Sequence, residues 1–100
     1  MVKHIVIWKF QASALGRTKA ENAQLVKEGL ESLVGKIPGL LRIEVGINTN
    51  LKETSADVVL VAEFDDWAAL ESYQTHPDHE KVAQLIGQVR DDRKCVDWEE

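Results

Sequence analysis

The sequence predicts a single α+β domain in which helices cover one side of a four-stranded antiparallel sheet. Three observations lead to this class. Four segments have the β-branched, aromatic or alternating residues of strands, and longer segments between them repeat apolar residues at helical spacing. The segments follow the order strand, helix, strand, strand, helix pair, strand. The chain has 100 residues, of which 44% are hydrophobic, which is enough for one packed core.

The first half of the chain predicts a strand, a helix and a second strand. Residues 3–10 are rich in β-branched and aromatic side chains, which favour strands. Thr18 and Glu21 have the spacing of a capping box, so a helix is expected to begin there. Its apolar periodicity continues to about Lys36, just before a Pro-Gly pair that stops helices. Alternating apolar residues then predict a half-buried strand over residues 41–47.

The second half predicts a strand, two consecutive helices and a last strand. Residues 58–64 are apolar except for one Glu, so this strand is expected at the centre of the sheet. Residues 67–75 form a short helix, and Pro77 fits the first turn of another. The last strand is predicted over residues 94–99. This order is the ferredoxin-like β-α-β-β-α-β arrangement, in which right-handed crossovers place both helical segments on one sheet face.

Composition excludes several classes of function. The net charge is −5 and no basic patch interrupts it, so a nucleic-acid partner is not expected. Cys95 is the only cysteine, which excludes an internal disulfide and suits a reducing cytoplasm. The N-terminus lacks the features of a signal peptide, and no apolar run approaches the length of a membrane span. We therefore expect a cytoplasmic protein that binds neither nucleic acid nor membrane.

The predicted strands are apolar on both faces. His4, Val6 and Trp8 share one face of the first strand, whereas Ile5 and Ile7 share the other. We assign the His4 face to the helices because it has the larger side chains. The open face predicts a homodimer, sheet on sheet, since large exposed apolar patches mark interfaces. Its contact residues would be Ile5, Ile7, Val59, Val61, Val96 and Trp98. A monomer with a few exposed apolar residues is the alternative.

The densest polar cluster extends from Tyr73 to Glu80 and includes His76 and His79. Histidine titrates near neutral pH and suits acid–base catalysis. Each member also has a structural interpretation: His76 fits a helix cap, His79 could face solvent, and Tyr73 could be a core aromatic. A metal is not expected, because His76, His79 and Glu80 do not have the spacing of a zinc motif.

His4 and Asp97 are predicted to pair across the sheet. The first and last strands are antiparallel neighbours in this arrangement, so His4, near the start of one, meets Asp97, near the end of the other. A carboxylate there would orient the imidazole, although the pair could equally be a satisfied buried contact. Cys95 is expected to be an inert sheet residue. The sequence contains no glycine-rich phosphate loop, and no cofactor is expected.

These residues resemble a known family, the stress-responsive A/B barrel domain proteins, over nearly the whole chain. The resemblance rests on Lys3-His4-Ile5-Val6, Ile37-Pro38-Gly39, Phe64, Tyr73-x-x-His76-Pro77-x-His79 and Asp97. It implies one domain over residues 1–100 and a homodimeric ferredoxin-like fold, a dimeric α+β barrel. Many members have no assigned reaction.

The same motifs are similar to those of plant polyketide cyclases that make olivetolic acid. In those enzymes the Tyr and the last His of the string act in an aldol-type ring closure. The resemblance thus implies that Tyr73 binds a carbonyl group and that His79 is a general base. The cyclase helix has bulky aromatics where residues 21–30 have none, so a different ligand is expected. The predicted pocket is lined by His4, Val6, Trp8, Leu60, His76 and Asp97.

Three functions remain open at this point. The first is a dimeric protein of unassigned activity that binds a small molecule between sheet and helices. The second is a cyclase-like enzyme that uses His79 and Tyr73, and the third is a non-catalytic stress-response protein. Haem-degrading or quinol-type monooxygenases share the architecture, but no residue favours them. Whether the chain is an enzyme is left open.

Overall fold

The fold is built from six strands and three helices, seen in a computed structural model that describes all 100 residues. Four of the strands form one antiparallel sheet in the order Leu40–Ile47, Val58–Phe64, Val2–Phe10, Arg90–Glu99, as the ferredoxin-like prediction requires. The remaining two form a separate small hairpin. In chain order the elements are β1 (Val2–Phe10), β2 (Ser13–Ala14), β3 (Arg17–Thr18), α1 (Lys19–Glu31), β4 (Leu40–Ile47), β5 (Val58–Phe64), α2 (Trp67–Thr75), α3 (Pro77–Val89) and β6 (Arg90–Glu99).

The helix α1 is shorter than predicted. Thr18 caps it with the expected capping box: the Thr18 hydroxyl accepts from the Glu21 amide, and the Glu21 carboxylate accepts from the Thr18 amide. The helix ends at Glu31 rather than near Lys36, and turns follow. Leu33 in those turns is still buried in the core. The apolar periodicity therefore continued past the helix because the turns pack against the same sheet.

A small hairpin occupies residues 13–18, between the predicted first strand and the predicted first helix. Ala14 pairs with Arg17, so only Leu15 and Gly16 form the connection. Both have positive φ, 55° and 73°, as a two-residue type I′ turn requires. The hairpin leads into the N-terminus of α1.

The last strand begins at Arg90, four residues earlier than the predicted start at Lys94. All five residues from 90 to 94 are charged, so they lack the apolar alternation of strands, but all except Asp91 pair with β1. The helix α3 leads straight into this strand. None of the three helices combines the length and apolar character that a bilayer crossing requires.

The two sheet faces differ in burial as the sequence predicts. His4, Val6 and Trp8 lie under the helices and are at most 3% exposed. On the opposite face Ile7 is 40% and Val96 60% exposed in the single chain. Ile5, Val59 and Val61 on that face are half-buried, and Trp98 is exposed. The helices therefore leave this apolar face of the sheet uncovered.

Candidate functional site

A cavity of about 260 Å³ lies on the helix-covered side of the sheet, between β1 and α3. Six of the eight residues that the sequence predicts for the site line it, while His76 and Asp97 do not. The lining residues are His4, Val6, Trp8, Leu30, Leu60, Tyr73, His79, Ala83, Ile86, Gly87, Arg90 and Arg93. The predicted cluster is therefore largely brought together by the fold.

The central strands supply the floor of the cavity. His4, Val6 and Trp8 alternate along β1, so all three face the helices. Leu60 pairs with Val6 from β5 and extends the same surface. These four side chains are buried.

The junction between α2 and α3 brings Tyr73 and His79 together. His76 ends α2 and caps α3, and its Nδ1 accepts a hydrogen bond from the Asp78 amide over 3.1 Å. Pro77 then fixes the first turn of α3. The bend places the last turn of α2, with Tyr73, beside the first turn of α3, with His79, and their ring centroids are 4.2 Å apart. The predicted pocket residue His76 is thus a corner residue outside the cavity lining, because its imidazole caps the helix.

Small residues on α3 leave room for the cavity. Ala83 and Gly87 follow His79 at intervals of four, so the three share one helix face. A Cβ atom added at Gly87 would meet no atom within 4 Å. The cavity therefore continues along this face.

Three polar atoms of lining residues are buried without a hydrogen-bond partner: Trp8 Nε1, the Tyr73 hydroxyl and His79 Nδ1. Leaving such groups unpaired costs about 1–3 kcal/mol each. Native cores pair nearly all buried polar groups, so three orphans around one cavity are unusual. A bound molecule with polar atoms would supply the missing partners.

The protonation states suit proton transfer. Burial lowers the pKa of His79 below its ordinary value of 6.5, although the nearby Gln74 carbonyl opposes this. His79 is therefore mainly neutral at pH 7 and able to accept a proton. Burial raises the pKa of Tyr73, so its hydroxyl stays protonated and able to donate. The Arg93 charge acts against the Tyr73 shift and lowers the His79 pKa further.

His4 and Asp97 form the predicted pair. They are register partners on β1 and β6, and His4 Nδ1 is hydrogen-bonded to Asp97 Oδ1. Asp97 lies behind His4 rather than on the cavity lining, so it contacts the site only through the imidazole. Its strand is exposed along its whole length because it is an edge that the helices do not cover.

Cys95 completes a small group with this pair. Its sulfur lies 3.5 Å from Asp97 Oδ1 and 3.7 Å from His4 Nδ1. Imidazole, thiolate and carboxylate are all zinc ligands, and these atoms lie within 4.8 Å of one another, so the group could hold a metal ion. Burial, followed by the Asp97 charge, raises the pKa of the Cys95 thiol, which therefore stays protonated at neutral pH.

Arg90 and Arg93 also line the cavity, although neither is among the residues predicted for the site. The predicted last strand began after both. A signal was nevertheless present, since extending the antiparallel pairing of His4 with Asp97 by four residues places Arg93 opposite Trp8. The register confirms that pairing.

Comparisons with known proteins agree with this fold. The family model described as the stress-responsive A/B barrel domain matches residues 2–100. A search of curated protein sequences found no match.

Similar solved structures include two bacterial proteins of unknown function that are described as dimeric with a ferredoxin-like fold. The protein from Bacteroides fragilis is 30% identical, with a TM-score of 0.78 over 99% of this chain and 95% of that one. The protein from Thermobifida fusca is 25% identical, with a TM-score of 0.83 over 97% and 88%. Hydroxynitrile lyase from Passiflora edulis has a TM-score of 0.79 over 97% and 90%; at 11% identity it shares the fold alone.

Proposed function

The chain belongs to the stress-responsive A/B barrel domain family, and we propose that it binds a small carbonyl compound in the cavity between β1 and α3. In this proposal Tyr73 donates a hydrogen bond to the carbonyl oxygen, and His79 acts as a general base on the adjacent carbon. The observation that carries it is that Tyr73 and His79, two neighbouring residues of the cavity lining, each have a buried polar atom without a partner.

The proton transfer can be written from the atoms of these two residues. Neutral His79 takes a proton on its unprotonated ring nitrogen from the carbon beside the carbonyl group, and the electron pair of the broken C–H bond forms an enolate. The Tyr73 hydroxyl donates to the enolate oxygen, where the negative charge develops. The charge of Arg93 on the same cavity favours the enolate further. Return of a proton from His79 to carbon restores the base.

Binding can be tested with acetophenone, which has one carbonyl group and an aromatic ring, as the probe. The indole N–H of Trp8 has no partner and lines the cavity, so its signal in a proton–nitrogen correlation spectrum should move on binding. The indole signals of Trp67 and Trp98 are internal controls because both side chains are exposed elsewhere. A Trp8 signal that stays in place at saturating acetophenone would refute binding in this cavity.

A cavity-filling variant gives the matched control for binding. Gly87→Leu adds a side chain at the cavity lining, where a Cβ meets open space, whereas Gln84→Leu puts the same side chain at an exposed position of α3 outside the lining. Gly87→Leu should abolish the Trp8 shift, and Gln84→Leu should leave it unchanged. Equal shifts in both variants would place the probe elsewhere.

Catalysis can be followed in the same samples. Transfer to D₂O should show protein-dependent exchange of the acetophenone methyl protons, and His79→Gln should slow it by roughly a hundredfold, as loss of a general base does. The Trp8 shift should persist in His79→Gln. Exchange that is unchanged in this variant would remove the base assignment and leave a binding protein without catalysis.

We also infer that the protein works as a homodimer that buries the open sheet face. Ile5 lies in one row with Val61 and Val96, because these residues are register partners on three neighbouring strands. Such an aliphatic row favours a partner of the same kind over water. The similar structures from Bacteroides fragilis and Thermobifida fusca are described as dimeric, which supports this inference. Light scattering that gives the mass of one chain at micromolar concentration would contradict it.

A further inference from the structure

Two arginines at the cavity have no acidic partner. Arg90 and Arg93 line the cavity and are exposed, so the cavity reaches solvent on their side. No carboxylate lies within 4.0 Å of either guanidinium, although the chain has 17 acidic residues and only 12 Lys and Arg. No acidic residue lines the cavity either. In an acidic protein this is a local positive site.

A register shift in the last strand places both arginines on the same side. Trp8 pairs with Arg93, and Phe10 pairs with Arg90, so Asp91 is skipped. Paired residues share a sheet face, and Phe10 faces the helices. Without the shift, strict alternation from Arg93 would have put Asp91 on that face. The irregularity therefore replaces a carboxylate with a guanidinium beside the cavity.

The other polar groups on the lining can donate to a ligand. The indole nitrogen of Trp8 can only donate a hydrogen bond. It is buried without a partner, and Trp8 as a whole is 3% exposed. Trp8 and Arg93 are directly opposed, which places their Cβ atoms about 5 Å apart. An indole N–H and a guanidinium carried by opposed residues can together serve an acceptor that has two oxygen atoms.

We propose that the cavity has an anion subsite, formed by Arg93, Arg90 and the indole N–H of Trp8, that selects carbonyl compounds bearing a carboxylate. This inference rests on the proposed function for the position of the carbonyl group, which lies toward Tyr73 and His79. The planar fork of Arg93 pairs with the two oxygens of the carboxylate, and Trp8 donates to one of them. The cavity volume of about 260 Å³ is small, which favours a compact acid over a drug-sized molecule.

Two probes that differ only at the proposed contact test the subsite. Benzoylformate has a carboxylate where acetophenone has a methyl group, and both retain the ring and the carbonyl. Because it has no hydrogen on a carbon beside the carbonyl group, it reports binding and not proton exchange. Titrations that follow the Trp8 indole signal should give a dissociation constant at least roughly tenfold lower for benzoylformate, as expected for hydrogen bonds to a charged group. Arg93→Gln should remove that preference, because the variant no longer offers the guanidinium that pairs with the carboxylate. Lys81→Gln, which removes one charge from an exposed position on α3, should not change it.

The outcomes separate the subsite from the proposed function. If both probes bind equally, the anion subsite is refuted and the carbonyl site stands. If neither shifts the Trp8 signal, the proposed function fails as well. A preference for benzoylformate that survives both Arg93→Gln and Arg90→Gln would also refute the assignment. Displacement of bound benzoylformate by an equal concentration of inorganic phosphate would show a general anion site and overturn the choice of a carboxylate.

Discussion

The two faces of the sheet are built from the same strands but differ in chemistry. On β1, His4 and Trp8 face the helices and line the cavity, whereas Ile5 and Ile7 face away. The covered face combines aromatic rings, orphaned polar atoms and charge. The open face is a band of apolar side chains. Next to this band Lys3 and Glu63 form an ion pair, with 3.9 Å between Lys3 Nζ and Glu63 Oε1.

In the proposed function, this difference separates association on one face of the sheet from ligand binding on the other. Successive side chains on a strand point in opposite directions, so a change on one face leaves the other chemically intact. The faces also tolerate polarity differently. Polar groups on the covered face can pair with a ligand, whereas a polar group at the centre of the open face would meet an apolar partner. Single substitutions on either face can therefore test the proposed division.

The largest effect is expected from Val61→Asp on the open face. In a two-fold homodimer this substitution would place two carboxylates, one from each chain, in the apolar interface. Each unpaired buried charge costs several kcal/mol. We expect the dissociation constant of the dimer to rise more than about a thousandfold, measured by sedimentation velocity over a dilution series.

Leu25→Asp is the control for this change, because Leu25 is an exposed apolar residue on α1. It should leave the dimer intact. Equal dissociation constants for Val61→Asp and the wild type would mean that the open face is not the interface.

A second, smaller effect is expected on the covered face from Gly39→Ala. Gly39 has φ +83°, and a Cβ atom there would lie 2.5 Å from Ala69 Cβ on α2, the helix with Tyr73. Gly35 has φ +87° but open space around it, so Gly35→Ala isolates the backbone strain of about 1–2 kcal/mol. Gly39→Ala should lower the free energy of unfolding by about 2 kcal/mol more than Gly35→Ala does, because α2 must shift as well. Equal losses in urea unfolding would show that the helix adapts without cost.

Regular alternation explains what the sequence could predict. The faces of β1 and the pairing of His4 with Asp97 follow from period two and antiparallel order, and both are as predicted. The helix-facing cluster of Tyr73 and His79 required only the order of the elements and a proline between them. Six of the twelve residues that line the cavity could therefore be predicted from local patterns.

Register shifts explain what the sequence did not reveal. Leu41 was expected on the half-buried face, but it is exposed because the pairing of β4 shifts between Leu40 and Arg42. The shift at Asp91 in β6 likewise brings Arg90 to the cavity, and the charged residues around it hid the start of the strand. Such shifts depend on the partner strand, so alternation within one segment does not indicate them.

Tyr73→Phe should separate stability from function on the covered face. The hydroxyl is buried without a partner, so its removal ends an unpaired desolvation cost. We expect the free energy of unfolding to rise by about 1 kcal/mol, while exchange of acetophenone methyl protons falls. A loss of stability in urea unfolding would show that the hydroxyl makes a stabilising hydrogen bond in the folded protein.

The smallest effect expected is a pH-dependent contribution of His79 to stability. Its pKa is lowered in the folded protein, mainly by burial; His4 and Arg93 also lower it, whereas Glu80 raises it. The unfolded chain therefore binds a proton first as the pH falls through 6.5, and the folded state loses stability until its own, lower pKa is reached. Wild type should lose more stability between pH 7.5 and acidic pH than His79→Gln, in which this linkage is absent. If the curves of unfolding free energy against pH are parallel for the two proteins, the His79 imidazole has the same pKa in the folded and unfolded chains. Burial would then not keep this imidazole neutral.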